Sequence, residues 1–175
     1  HVPYLVITDI DATDPANNGK ACRADVIGAV SSNSSLKSFF PDHPLISTLG
    51  TLPVAEKEQA NRKRYVVFQQ PVSVLVGGQT WGLHGRTLEE TFIYENLPYF
   101  QADASRIKID FPDKLEGVFQ AVYEHIGKRS FKKTEFALDL LSSDDEWVTP
   151  KYISEGLQWL ETKLNPPVQL ENPAQ

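Results

Sequence analysis

Three acids crowd the end of a short apolar run near the start of the chain, "VITDIDATD" (residues 6–14), and two of them, Asp9 and Asp11, are two residues apart. On an extended strand that spacing points both carboxylates the same way. The end of a buried strand is also where α/β sheets collect their ligands. Two carboxylates so placed repel one another unless a proton or a cation intervenes. A divalent cation is the natural partner, and hard oxygen donors suit Mg²⁺. The same pair could instead serve phosphoryl transfer, with one aspartate as nucleophile. The structural alternative is loop capping, with Asp11 or Asp14 closing an Asx-turn.

Two further stretches carry candidate chemistry. In "GRTLEETF" (residues 85–92), Thr87 is placed to cap a helix whose first turn holds Glu89 and Glu90. Acids there suit the helix dipole without any function, yet the same geometry lets Glu89 reach a metal from a helix start. In "FKKTEFALDLL", Lys132 and Lys133 precede an apolar helix. A lysine beside a bound phosphate can stabilise charge on the phosphoryl group or its leaving oxygen; a solvated lysine pair is the plainer explanation. His1, His43, His84 and His125 are scattered with no zinc-ligand spacing, and the lone Cys22 forms no intramolecular disulfide, which suits the cytoplasm.

These residues need a scaffold. Pro3 to Thr8 is an apolar, β-branched run of the kind that forms a buried, parallel strand. Asp11 to Lys20 is rich in Asp, Asn, Pro and Gly and is expected to be a loop. A second strand is expected over Val26–Val30, followed by a short helix in "SSNSSLKSFF" capped by Asn33 or Ser34. Pro41–Pro53 reads as irregular, "AEKEQANRKR" as a polar helix, and "YVVFQQPVSVLV" as strand with Pro71 forcing a bend. Gly77-Gly78 marks a turn. Helices follow in "RTLEETFIYEN", with Leu88, Phe92 and Leu97 in register, and in "LEGVFQAVYEHIGKR", closed by Gly127. "TEFALDLLSS" is a further short helix. A last one starts at Thr149-Pro150 and turns Ile153, Leu157, Leu160 and Leu164 inward.

The chain has 175 residues, enough for one domain with a substantial core. No apolar run approaches a membrane span and no signal peptide is visible. A net charge of −6 argues against a general nucleic-acid binder, although metal-holding carboxylates contribute to it. Basic residues cluster at Lys57, Arg62, Lys63 and Arg64 and again at Lys128, Arg129, Lys132 and Lys133. The absence of methionine suggests a fragment of something longer, or a sequence from which methionines are missing.

In order, "VITDIDATD", "SSN", "GRTLEETFIYEN", "KKTEFALDLL" and "VTPKYISEGLQWL" resemble the C-terminal nuclease region of the overcoming-lysogenisation-defect (OLD) family, over roughly residues 3–164. The resemblance implies an α/β, Rossmann-like Toprim domain with a central, largely parallel sheet and a helical C-terminal half. It implies a catalytic region over residues 1–165 with its first strand missing, an insertion at about 41–84, and a flexible tail at 166–175. The implied activity is metal-dependent DNA nicking or cleavage by a two-metal mechanism. Asp9, Asp11 and Glu89 match the metal ligands, Thr87 a supporting hydroxyl, and Lys133 the active-site lysine, with Lys132 as substitute. The cofactor is Mg²⁺, with Mn²⁺ or Ca²⁺ able to substitute in binding. Implied partners are DNA, an N-terminal ATPase and homo-oligomers of the full-length protein, with no membrane. The family's upstream glutamate has no counterpart, and no GxxxxGK[ST] loop occurs.

Two rivals share the same residues. "VITDIDAT" is similar to the signature of haloacid dehalogenase-like phosphatases, with Asp9 as nucleophile, Asp11 as general acid, and Ser32, Lys133 and Asp144-Asp145 for the later motifs. That reading leaves "RTLEE" unexplained, and Ala12 replaces the usual glycine. The other rival is a non-catalytic Toprim-like module for assembly or DNA positioning.

Overall fold

A computed structural model describes residues 2–76, 78–102, 107–112, 115–143 and 147–165, with the side chains of 115 and 116 excluded. Gly77, Asp144-Asp145 and the 166–175 tail lie outside these residues.

The first apolar run forms β1 (Tyr4–Ile7), and the chain leaves the sheet before Asp9. The expected acidic loop instead contains β2 (Ala12–Asp14), a 3-10 turn at Pro15–Asn17 capped by Asp14, and β3 (Lys20–Ala21). Ala12 is fully buried, and that buried anchor lets a polar segment fold back as a strand. The expected strand over Val26–Val30 shrinks to β4 (Val30–Ser31), which pairs with β2.

Asn33 caps α1 (Ser34–Phe39), accepting from the amides of Ser35 and Leu36 at 2.9 and 3.3 Å, as its residue type demands. The stretch expected to be irregular contains the single turn α2 (Ile46–Leu49). The polar stretch expected to be one helix is α3 (Val54–Lys57), then β5 (Glu58–Gln59) turning into β6 (Arg64–Val67). The turn places Ala60, Asn61 and Arg62 at φ 51°, 56° and 62°, a left-handed run that local propensity opposes. Tertiary bonds hold it: Glu58 accepts from Trp159 Nε1 at 2.8 Å and pairs with Lys163 at 2.7 Å.

Pro71 separates β6 from β7 (Val72–Val76), which forms an antiparallel hairpin with β8 (Gln79–Leu83). From there on every described element is a helix: α4 (Leu88–Glu95), α5 (Leu97–Gln101), α6 (Leu115–Gly127), α7 (Lys133–Leu141) and α8 (Lys151–Leu164). The molecule is therefore mixed α/β with a helical C-terminal half. A largely parallel central sheet is not found among the described residues. Among the described residues the one parallel pairing is β1 with β6, from Tyr4 opposite Arg64 to Ile7 opposite Val67, and β5 adds an antiparallel edge.

The start and the buried face of α8 also differ from expectation. Pro150 makes no side-chain cap; both oxygens of Glu95 accept from the Lys151 amide, at 3.1 and 2.9 Å. Tyr152 and Gly156 face inward, whereas Leu157 and Leu164 are more than half exposed. The reason is close packing on the sheet: a Cβ at Gly156 would lie 2.9 Å from Leu5 and 3.1 Å from Val67. The glycine lets the helix axis come down on β1 and β6, with Trp159 over Tyr65.

Three apolar clusters result. One joins the β7–β8 hairpin to α4, α5, α6 and α7, and a second joins Ile10 and Ala12 to α1, α2 and β6. The third seats Tyr152 of α8 on Tyr65 and Val67. Asp9 lies in the chain between β1 and the second cluster, against the starts of α4 and α8. Among the described residues no helix is long and apolar enough to cross a membrane.

Candidate active site

β1 and β6 run in parallel and end in register, so Asp9 and Gln69, each two residues past a paired position, emerge side by side. Gln69 is fully buried. Its Oε1 accepts from the Ile10 amide at 2.9 Å, and its Nε2 donates to Asp9 Oδ1 at 2.5 Å and to Tyr152 Oη at 3.2 Å. Asp9 Oδ1 accepts a second bond from the Leu88 amide at 2.9 Å, so the carboxylate sits on the positive end of α4. Asn33 Nδ2 fixes the backbone below it, donating to Asp9 O at 2.6 Å and Thr8 Oγ1 at 2.8 Å. Asp9 Oδ2 accepts no hydrogen bond among the described residues. One oxygen is anchored and the other is presented, the arrangement that outer-shell bonds give to a ligating carboxylate.

Asp11 does not continue the strand. Its φ of 47° puts it in the left-handed region, which breaks the two-residue alternation that was expected to align it with Asp9. Its amide donates to Arg86 O at 3.1 Å, and its side chain faces Arg86 at 3.9 Å. The Ser32 amide and hydroxyl both donate to Asp11 O, at 3.0 and 2.9 Å. Ser32 is thus a brace for the loop in this structure.

Thr87 caps α4, its hydroxyl accepting from the Glu90 amide at 3.5 Å. It supports Glu89 through the helix and makes no bond to the Glu89 carboxylate. Glu90 returns to accept from the Arg86 amide at 2.9 Å, a capping box displaced by one residue. The next turn fits because residue 85 is glycine: a Cβ there would collide with the Thr91 side chain and lie 2.6 Å from its amide nitrogen. Glu89 is buried, and both its oxygens lie 3.0 Å from Lys133 Nζ at the start of α7. Lys132 turns away and donates to Arg129 O at 3.1 Å.

Asp9, Glu89, Thr87 and Lys133 are therefore brought together from three elements far apart in sequence. Burial raises the Asp9 pKa, and the neighbouring charges of Asp11 and Glu89 push the same way against Gln69 and Lys133. Burial pushes Glu90 up to about 7, and its Oε1, Thr91 Oγ1 and Arg86 Nε are sealed without partners. Among the described residues no group of three or more His, Cys, Asp or Glu side chains is disposed to hold a metal ion. The donor chemistry nevertheless suits a hard cation at Asp9 and Glu89: one carboxylate oxygen is open and the other carboxylate is held by a lysine that is mostly in solvent. Asp11 is turned to Arg86, though its charge still acts on Asp9.

Sequence reasoning overlooked Gln69. Its signal was a polar residue directly after the apolar run of β6, at the strand end matching Asp9. It also passed over Asn33 as a brace for Asp9, having read it as a helix cap alone.

The class these features define is a mixed α/β protein with a carboxylate–lysine cluster, its Glu89 buried, at the end of a parallel strand pair. No protein-family model matches the chain. No curated protein matches it, and no solved structure does.

Proposed function

We propose that this region carries the metal-dependent phosphodiester-cleaving site of a DNA endonuclease of the OLD Toprim type. The observation that supports this most is the contact of Lys133 with buried Glu89 beside the anchored carboxylate of Asp9. Asp9 and Glu89 would hold Mg²⁺, with Mn²⁺ or Ca²⁺ as binding substitutes, and Asp11 adds negative charge at the rim. Bound divalent cations supply an activated water and stabilise the departing 3′ oxygen. Thr87 positions Glu89 by fixing the first turn of α4. Lys133 stabilises charge on the scissile phosphoryl group once it leaves Glu89. An upstream glutamate and an N-terminal ATPase complete the enzyme in this reading.

The test is nicking of supercoiled plasmid by a chain extended upstream, in Mg²⁺ or Mn²⁺ against EDTA, with Asp9→Asn alongside. Metal-dependent nicking that disappears in the variant is the expected result. Nicking that survives Asp9→Asn overturns the assignment, as does phosphomonoester hydrolysis in place of nicking.

A further inference from the structure

Lys57 closes α3 and is only 6 % exposed, yet no acceptor or carboxylate among the described residues bonds its ammonium. The ammonium lies over the Phe68 ring, 5.6 Å from Nζ to the centroid. A ring face attracts a cation but accepts none of its three N–H bonds in the way an oxygen does. A buried ammonium without acceptors is costly, so its surroundings are informative.

Lys57 lines a cavity of about 280 Å³ together with Gly50, Gln70, Val72, Tyr152 and Glu155. A neighbouring cavity of about 430 Å³ shares Pro71, Val72, Glu95 and Lys151 with it. Ligand pockets typically measure ~300–1,000 Å³, so the space is adequate for a small molecule. The acids of the wall are already engaged. Glu95 holds the Lys151 amide at 3.1 and 2.9 Å, and Glu155 lies 3.6 Å from Lys151 Nζ. Lys57 is left as the cation of the wall that has no oxygen of its own. Lys57 is one of the residues lining this cavity, and its Nζ is not fully sealed from solvent. Burial depresses its pKa, with Glu155 opposing the shift.

We propose that this cavity binds a small monocarboxylate, its carboxylate on Lys57 and its short apolar body along Val72 and Pro71. Glu95 and Glu155 in the wall disfavour a dianion, which selects carboxylate over phosphate. The site is distinct from Asp9 and Glu89 and does not depend on the nuclease reading. It shares one residue with that region, because Tyr152 both forms the cavity wall and meets Gln69.

Butyrate is the probe, titrated into the full chain and followed by the Lys57 Cε–Hε signal and by thermal melting, with inorganic phosphate in parallel. A saturable Lys57 shift and a raised melting midpoint with butyrate, the rise in midpoint lost in Lys57→Met, are the expected result. Val72→Phe fills the cavity without altering its charge, and should abolish the response while the Lys57 signal persists. No saturable butyrate response, a response retained in Lys57→Met or Val72→Phe, or tighter binding of phosphate would each overturn the proposal.

Discussion

Lys133 Nζ stands 3.0 Å from both oxygens of Glu89, although the lysine side chain is 61 % exposed and the glutamate 8 %. The pair joins a buried anion to a cation that water can reclaim. Lys133 therefore serves as a built-in counter-ion, and any divalent cation must compete with it for Glu89.

Lys133→Met leaves Glu89 buried without its partner. The expected cost is roughly 1–3 kcal/mol, below that of a fully buried pair because the lysine is largely solvated. Mg²⁺ should then stabilise the variant more than it stabilises the parent. Thermal melts with and without Mg²⁺ check this, and an equal response in both proteins would count against a cation site at Glu89.

Asp9→Asn keeps an Oδ1 that can accept from Gln69 and Leu88, while the open Oδ2 becomes an amide. Stability is expected to stay within about 1 kcal/mol of the parent, whereas the proposed metal-dependent nicking is expected to fall by a factor on the order of 10² or more. Denaturant melts and plasmid nicking separate the two effects. A variant that unfolds would show Asp9 to be chiefly structural.

Glu90 gives a pH dependence with a definite sign. Its native pKa lies at about 7, above the ordinary 4.5, because of burial. The native state thus holds the proton more tightly than the unfolded chain does. The resulting stabilisation is complete below pH 4.5 and is lost as the pH rises through about 7. Across that window the parent should lose about 3 kcal/mol from this group, and Glu90→Gln should lose that much less. Urea melts at several pH values measure the difference; parallel curves would remove Glu90 as its source.

Gly85→Ala places a methyl group against the backbone of Thr91, which has no rotamer to yield. A loss of about 1–3 kcal/mol is expected, together with displacement of the first turn of α4 and so of Glu89. Gly82→Ala meets nothing within 4 Å and serves as the control. Similar melting midpoints for the two variants would refute the tight turn.

What the sequence announced was local. The apolar run of β1, the Asn33 and Thr87 caps, and the helical spacing of Val118, Phe119 and Val122 act within a turn or two. What it concealed depends on distant partners. The β5–β6 turn holds against propensity because Trp159 and Lys163 reach Glu58. The buried face of α8 falls on Tyr152 and Gly156 because the sheet comes close enough to require a glycine. Periodicity alone placed it on Ile153, Leu157, Leu160 and Leu164, of which Ile153 does pack against that cluster while Leu157 and Leu164 are exposed. Thr87, Glu89 and Lys133 were legible as candidates, and Asp9 as a strand-end acid. The divergence of Asp11 was hidden in one left-handed residue, and Gln69 in an otherwise unremarked strand end.

The Gln69 amide meets Asp9 on one side and Tyr152 on the other, so one side chain ties the Asp9 carboxylate to the seat of α8. If α8 peels from the sheet, Tyr152 departs and Gln69 loses a restraint before the cluster around Phe92 and Phe136 is disturbed. The chemistry proposed for Asp9 would then fade on heating or limited proteolysis while most of the helical signal persists. The last helix is thus a buttress of the site as well as a cover of the sheet.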